Sequence, residues 1–142
     1  MYKICVLPGD GIGKEVVPEA VRVLKATGID FEFIYGDIGF EAYQKLGSPL
    51  PEETLKKVKA ADSCLFGAVT TPPNIPNYYS PILKLRKELD LYINLRPNRS
   101  YPLPQFRQGV EIVMFRENTE GMYSGRERLE EGGDTAITER VI

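Results

Sequence analysis

The 142-residue sequence contains no histidine and only two cysteines, Cys5 and Cys64. Without histidine, and without a Cys-x-x-Cys pair, a zinc site lacks its usual ligands. Each cysteine sits in a short apolar run, the setting of a buried free thiol in a reducing cytosol. No apolar run approaches the ~20 residues that a bilayer span requires, and Met1-Tyr2-Lys3-Ile4 opens a strand, not a signal peptide. Asn98-Arg99-Ser100 matches a glycosylation acceptor in form only, since no secretion signal accompanies it. A formal net charge of −2 provides no basic field for nucleic acid and no polybasic patch for a membrane. These absences point to a cytoplasmic globular protein with no nucleic-acid or membrane partner. The mix of 27% charged and 42% apolar residues fits that class and not a disordered one.

What is present reads as strands alternating with helices. Tyr2–Leu7 is a compact apolar run ending at Pro8-Gly9, a buried strand. Asp10 or Gly11 opens a helix whose apolar stripe is Ile12, Val16, Ala20, Val23 and Leu24, with a kink expected at Pro18. Residues 29–35 alternate as a strand, with Phe31, Phe33 and Tyr35 on one face. Residues 40–46 form a short helix stopped by Gly47. A second helix starts at Leu50-Pro51-Glu52-Glu53 and runs to about Ala61. Residues 63–66 form a third strand closed by Gly67. The order predicts an α/β fold with a parallel sheet.

Gly9, Gly11 and Gly13 invite a nucleotide-binding reading, which fails on inspection. A dinucleotide fingerprint needs glycine where Lys14 stands, and a Walker loop needs glycine at Pro8 and a hydroxyl at Glu15. A tight strand-to-helix turn accounts for these glycines better. Gly67-Ala68-Val69-Thr70-Thr71-Pro72 follows the third strand at the carboxyl end, where open α/β sheets bind ligands. Asn74–Tyr79 is a loop, and Ser80-Pro81 is an N-cap with a good first helical residue. In the helix that follows, Pro81, Ile82, Leu85 and Leu89 form one stripe and Arg86 lies on its shoulder.

Residues 92–96 alternate, with Ile93 and Leu95 toward a core and Tyr92, Asn94 and Arg96 on the other face. Residues 97–108 read as a crossover, so the domain boundary falls after Arg99: residues 1–99, then 100–142. Residues 110–115 are apolar at nearly every position, as in a strand covered on both faces, and Arg116 ends it. Residues 125–131 and 134–142 read as two projecting strands joined through Gly132-Gly133. Any one of Arg86, Arg96 and Arg116 alone reads as an ordinary surface arginine. Together, three planar forks at the edges of apolar elements match a ligand bearing two or three carboxylates, because each guanidinium pairs with a carboxylate through two hydrogen bonds.

Five stretches carry a resemblance: Gly-Asp-Gly-Ile-Gly-Lys-Glu-Val (9–16), Leu-Phe-Gly-Ala (65–68), Leu-Arg-Lys-Glu-Leu-Asp-Leu-Tyr (85–92), Asn-Leu-Arg-Pro (94–97) and Arg-Glu-Asn-Thr-Glu-Gly-Met-Tyr (116–123). In this order, over nearly the whole chain, they resemble the N-terminal part of the metal-dependent β-decarboxylating dehydrogenases that act on isocitrate, 3-isopropylmalate and homoisocitrate. The resemblance implies an isopropylmalate dehydrogenase-like open α/β sheet with the start of a second domain. It implies that Arg86, Arg96 and Arg116 clamp malate-type carboxylates, with Thr71 and Ser80 also at the substrate. Tyr123 would be the catalytic acid and a substrate contact, and Val69, Thr70 and Thr71 would lie against the nicotinamide of NAD or NADP. Mg²⁺ or Mn²⁺ would be held by aspartates beyond the chain's end, where the family's catalytic lysine also lies. The expectation is a fragment of a longer enzyme, inactive by itself.

The substrate's side group is expected to be read before Arg86. There Ser80 offers a hydroxyl at a helix start beside an apolar wall of Ile82 and Leu83. By resemblance, isocitrate enzymes place a serine six residues before that arginine and isopropylmalate enzymes an apolar helical turn. The hybrid of the two suits a carboxylate on a longer arm, so homoisocitrate ranks ahead of isopropylmalate and isocitrate. Gly-Arg-Glu-Arg-Leu-Glu (125–130) resembles the homoisocitrate branch. Ser80 reads equally as a plain helix cap. Two other readings remain open at this point, a non-catalytic regulatory subunit and a freestanding carboxylate-binding module. By resemblance residues 125–142 form an arm that pairs across a two-fold axis, implying a homodimer or higher homo-oligomer in amino-acid biosynthesis.

Overall fold

The computed structural model describes residues 1–73, 75–76, 78–121 and 123–140. Outside that set fall Asn74 and Asn77 of the expected 74–79 loop, Met122 of the Arg116–Tyr123 stretch, and Val141 and Ile142 at the end of the last expected strand. The described residues form two compact units, Met1–Leu85 and Arg86–Ile142.

The first unit is built on β1 (Tyr2–Gly9), which lies between β2 (Phe31–Tyr35) and β3 (Ser63–Ala68) in a three-stranded parallel sheet. Each crossover is helical, as parallel pairing requires. α1 (Gly13–Ala26) joins β1 to β2, and α2 (Phe40–Leu46) with α3 (Glu52–Lys59) joins β2 to β3. The central strand is covered on both faces, and Cys5, Val6 and Leu7 are wholly buried. Val6 packs with Val17 and Val21 of α1, with Ile4, Phe33 and Leu65 around them. Burial of each such aliphatic side chain contributes about 1.5–3 kcal/mol. α2 ends where Gly47 takes φ 73° and its N–H bonds the Tyr43 carbonyl, the stop that its sequence implied. Cys5 and Cys64 are register partners, both free thiols. Burial pushes the half-buried Cys64 up to about 12.

The α1 stripe differs in phase from the sequence reading. Gly13, Val17 and Val21 face the sheet, flanked by the half-buried Ala20 and Leu24, while Ile12, Val16 and Val23 are exposed. The glycines explain the shift. A Cβ at Gly13 would sit 2.0 Å from the Pro8 carbonyl oxygen and 2.8 Å from the Ala68 nitrogen; one at Gly67 would sit 2.2 Å from the same Pro8 oxygen. The helix approaches the sheet through its glycine, and that contact sets which residues point inward. Pro18 lies within the continuous helix.

In the second unit, β4 (Ile93–Arg99) and β5 (Glu111–Glu117) form an antiparallel ladder, and β6 (Glu127–Leu129) and β7 (Ala136–Thr138) a short hairpin turned through Gly132 and Gly133. β4 continues to Arg99 with Pro97 opposite Val113, so the crossover begins at Ser100 and not at Pro97. An edge strand tolerates the missing donor of a proline. Ile93 and Leu95 do not face a core, and β5 is exposed along its whole length instead of covered on both faces. Among the described residues β5 pairs only with β4, and a two-stranded ribbon has no layer to cover it. The same pairing makes residues 86–99 group with the later residues, whereas the sequence pattern sets its boundary after Arg99.

Replacing glycine by alanine inside a helix ordinarily stabilises, by roughly 0.5–1 kcal/mol. At Gly13 the sign should reverse, because the methyl group must force α1 off the sheet; Gly13→Ala is expected to cost about 2–3 kcal/mol in urea denaturation. Gly11 has φ 49° and nothing within 4 Å of its Cβ position. Gly11→Asn, a residue tolerant of left-handed backbone, should cost less than about 1 kcal/mol in the same assay.

Candidate functional site

Two sets of residues are candidates, one in each unit. In the first, the loop after β3 is anchored by Asp10, the residue that follows β1. Asp10 is 6% exposed. Its Oδ2 accepts the backbone N–H of Phe40 at 2.8 Å and of Thr70 at 2.8 Å, and its Oδ1 accepts that of Glu41 at 2.9 Å. Its own N–H donates to the Ala68 carbonyl at 2.7 Å. One carboxylate thus satisfies the start of α2 and fixes the loop that carries Val69, Thr70 and Thr71. The Thr70 carbonyl is held from the other side, accepting from the Tyr78 hydroxyl at 3.0 Å. With the backbone of Thr70 bonded at both ends, the loop offers a ligand the exposed side chains of Thr70 and Thr71 and the half-buried Val69. That set lies at the carboxyl end of a parallel strand, where open α/β sheets bind ligands.

α4 (Pro81–Glu88) crosses from the first unit into the second. Pro81 and Leu85 are buried, Ile82 and Arg86 are half-buried, and Lys84, Lys87 and Glu88 are exposed, so Arg86 takes the shoulder position read from its spacing. Ser80 immediately precedes the helix, and its carbonyl accepts the Lys84 N–H at 3.2 Å.

In the second unit the ladder register decides which side chains meet. Asn94 is opposite Arg116 and Arg96 is opposite Met114. Opposed residues in an antiparallel pair share a face, and alternate residues along each strand do too. Arg96 and Arg116 are therefore diagonal neighbours on one face, with Asn94 next to Arg96 on that face of β4 and directly across from Arg116. Arg96 Nε donates to Asn94 Oδ1 at 3.2 Å, which orients its fork with one of five N–H groups. Arg116 donates from a terminal nitrogen to the Tyr123 hydroxyl, and its guanidinium carbon lies 5.3 Å from the centre of the Tyr123 ring. A guanidinium can only donate, so the phenol oxygen is the acceptor and its own proton remains available. Arg96, Met114, Phe115, Arg116, Glu117 and Tyr123 line one open groove of about 590 Å³. Arg86 is not among its lining residues, nor are Val69, Thr70, Thr71 and Ser80, which belong to the first unit.

Two contributors went unread in the sequence. Asp10 reads locally as a helix opener and Tyr78 as part of the 74–79 loop. Their partners lie 60 and 8 residues away, and no local pattern encodes the first of these. Among the described residues no three of His, Cys, Asp and Glu come together as ligands, so these residues do not fit a divalent-metal site. No helix among them is long and apolar enough to cross a membrane.

Comparison with known proteins gives this geometry its setting. The family model described as isocitrate/isopropylmalate dehydrogenase matches residues 3–141. Homoisocitrate dehydrogenase of Methanocaldococcus jannaschii is 48% identical, over 100% of this chain and 44% of that protein. Isocitrate/homoisocitrate dehydrogenase of Thermus thermophilus is 46% identical, over 99% and 42%. Among solved structures, isocitrate dehydrogenase from Methylococcus capsulatus aligns with a TM-score of 0.88 at 38% identity, covering 100% of this chain and 43% of that one. A beta-decarboxylating dehydrogenase from Thermococcus kodakarensis in its apo form aligns at 0.77 and 48%, covering 100% and 41%. The chain spans less than half the length of the curated relatives it matches. The fold expected from the five stretches is the fold of these structures, and the chain belongs to the isocitrate/isopropylmalate dehydrogenase family.

Proposed function

We propose that these residues are the N-terminal part of a longer enzyme that oxidatively decarboxylates a malate-type 2-hydroxy acid, with homoisocitrate to 2-oxoadipate as the reaction. The observation that carries the reading is one face of the β4–β5 ladder: two guanidinium forks, diagonal to each other, with a tyrosine hydroxyl bonded to one of them. Two forks in such proximity suit a ligand with more than one carboxylate, since each can pair through two parallel hydrogen bonds. Arg86 would supply the third. In this reading residues 1–99 belong to the large domain of the complete enzyme and residues 100–142 begin the second.

The chemistry assigned to this chain is binding and proton transfer. Arg96 and Arg116 hold the carboxylates and so fix the carbon that bears the hydroxyl. Val69, Thr70 and Thr71 would lie against the nicotinamide of NAD or NADP, which would supply the hydride acceptor, while the hydroxyl proton would pass to a base outside residues 1–142. The β-carboxylate then leaves as carbon dioxide, and the electrons of the broken bond form an enolate. Tyr123, whose hydroxyl proton is not used in its bond to Arg116, donates that proton to the enolate carbon and is left as a phenolate. The Arg116 donor on the phenol oxygen balances the negative charge that forms there as the proton leaves. Mg²⁺ or Mn²⁺ would find its ligands outside residues 1–142.

Support for homoisocitrate comes from Ser80, placed at the start of α4 beside Ile82 and Leu83, and from relatives whose names include that substrate. A hydroxyl beside an apolar wall suits a carboxylate carried on an extended methylene arm. In the full-length protein, kcat/KM measured on homoisocitrate, isocitrate and 3-isopropylmalate should rank in that order. Turnover of isopropylmalate alone would move the assignment to that branch.

Arg116→Lys in the full-length protein should lower kcat/KM by the equivalent of roughly 2–4 kcal/mol with little change in stability, because an ammonium cannot reproduce a bidentate fork. Unchanged kinetics would return Arg116 to the ordinary surface. Tyr123→Phe keeps the ring beside Arg116 and removes one hydroxyl. It should slow turnover of the hydroxy acid by about 10²–10⁴-fold while KM moves less, and leave reduction of a supplied 2-oxo acid intermediate intact. Equal loss of both half-reactions would indicate a structural role. The β6–β7 hairpin carries only three residues per strand, too little to stand alone, with Ile137 half-buried. It is read as an arm that pairs with a second copy. Ile137→Asp should weaken a homodimer, and activity should fall with it over a dilution series followed by sedimentation; a fully active monomer would refute the shared arm.

A further inference from the structure

Both backbone groups of Thr70 are hydrogen-bonded by side chains, one from either side of the loop. Thr70 sits at the mouth of the sheet, exposed, yet its N–H is taken up by a carboxylate that is almost entirely buried, and its carbonyl by a tyrosine hydroxyl. The tyrosine is itself wedged. Its ring meets Phe40 edge-on at 6.0 Å and Tyr43 edge-on at 5.2 Å. Phe40 is also the residue whose N–H shares Asp10 Oδ2 with Thr70. Asp10, Thr70, Tyr78 and Phe40 thus close a ring of contacts, with the carboxylate at its centre. The space is tailored to an aspartate: a Cβ at Gly39 would lie 2.3 Å from Asp10 Oδ2, and Gly39 itself has φ 102°. Burial, and next the charge of Asp10, push the Tyr78 phenol up, so it stays protonated as the donor to Thr70.

We infer that Asp10 and Tyr78 are positioning residues for the dinucleotide, acting by holding Thr70 so that Val69 and Thr71 present a fixed surface to the nicotinamide. The inference rests on the dehydrogenase reading above and deepens it. Its physical content is preorganisation. With both backbone groups of Thr70 bonded in the free protein, the loop need not be ordered when ligand binds, and that ordering entropy is not subtracted from affinity. Asparagine cannot replace Asp10. Three backbone N–H groups converge on its two oxygens, and an amide offers one oxygen and one NH₂, so at least one N–H must face another donor. Removing a buried charged acceptor from one such bond is worth about a tenfold change in an equilibrium.

The test uses the full-length protein, with NADH and NADPH titrated by their nicotinamide fluorescence and amide exchange followed at Thr70. For Asp10→Asn the dissociation constant of the dinucleotide should rise about tenfold, with Thr70 exchanging faster, while KM for the hydroxy acid moves less than about twofold. Tyr78→Phe, which removes only the bond to the Thr70 carbonyl, should shift dinucleotide affinity in the same direction by a smaller factor, with no loss of thermal stability. This variant decides the matter if Asp10→Asn does not fold. Dinucleotide affinity unchanged in the variants, or dinucleotide and hydroxy acid binding lost in equal measure, would overturn the positioning role and leave the dehydrogenase reading standing. A wild-type protein that binds neither dinucleotide would overturn the dehydrogenase reading and the ligand assignment together, with Thr70 exchange in the variants still reporting whether the loop is held.

Discussion

A carboxylate that ends a buried strand cannot remain unsolvated without donors, because desolvating a charge costs far more than one lost hydrogen bond. Asp10 meets that requirement with three backbone N–H groups drawn from two other parts of the chain, Phe40 and Glu41 at the start of α2 and Thr70 after β3. Its position is fixed in turn by β1, the central strand, whose Cys5, Val6 and Leu7 are wholly buried. The hydrophobic driving force that places β1 at the centre therefore also decides where the carboxylate sits. The carboxylate decides where the loop of Val69, Thr70 and Thr71 sits. Packing and site geometry are two consequences of one strand.

Close approach is the second constraint on this unit. Gly13 and Gly67 both stand where a methyl group would run into the Pro8 carbonyl. The glycines that resemble a phosphate-binding loop are used for contact between helix and sheet. Their absence of side chains brings α1 down onto β1 and β3, and this sets the phase of the whole helix. Ile12, Val16 and Val23 are left outward as a result, although their spacing alone matches a core stripe well.

The second unit works by register instead of by core. Along β4 and β5 alternate residues share a face, so the pairing of Asn94 with Arg116 and of Arg96 with Met114 brings two arginines together while consigning Leu95 and Phe115 to the opposite face. A slip of one residue would separate the forks onto different faces. Tyr123 then joins from beyond the strand, held by its hydroxyl and ring against Arg116.

Much of this was legible in order along the chain. The alternation of apolar runs with helical periodicity gives the parallel sheet, Gly47 gives the end of α2, and the stripe of Pro81, Ile82, Leu85 and Leu89 gives the shoulder position of Arg86. Those features depend on residues within a few turns of one another, where period and local backbone preference are decisive. The five stretches from Gly9 to Tyr123 were enough for the family. What sequence periodicity could not convey is whether an apolar strand has a neighbour: the run at 110–115 has the composition of a covered strand, but β5 is paired on one edge only and its faces are open. Nor could it convey the partners of Asp10, because a hydrogen bond between residues 10 and 70 leaves no pattern in the residues next to either. The sequence by itself determined the elements, the family and the identity of the chemical groups. Tertiary structure alone decided which of those groups meet, since register and strand order set distances between residues that the chain holds far apart.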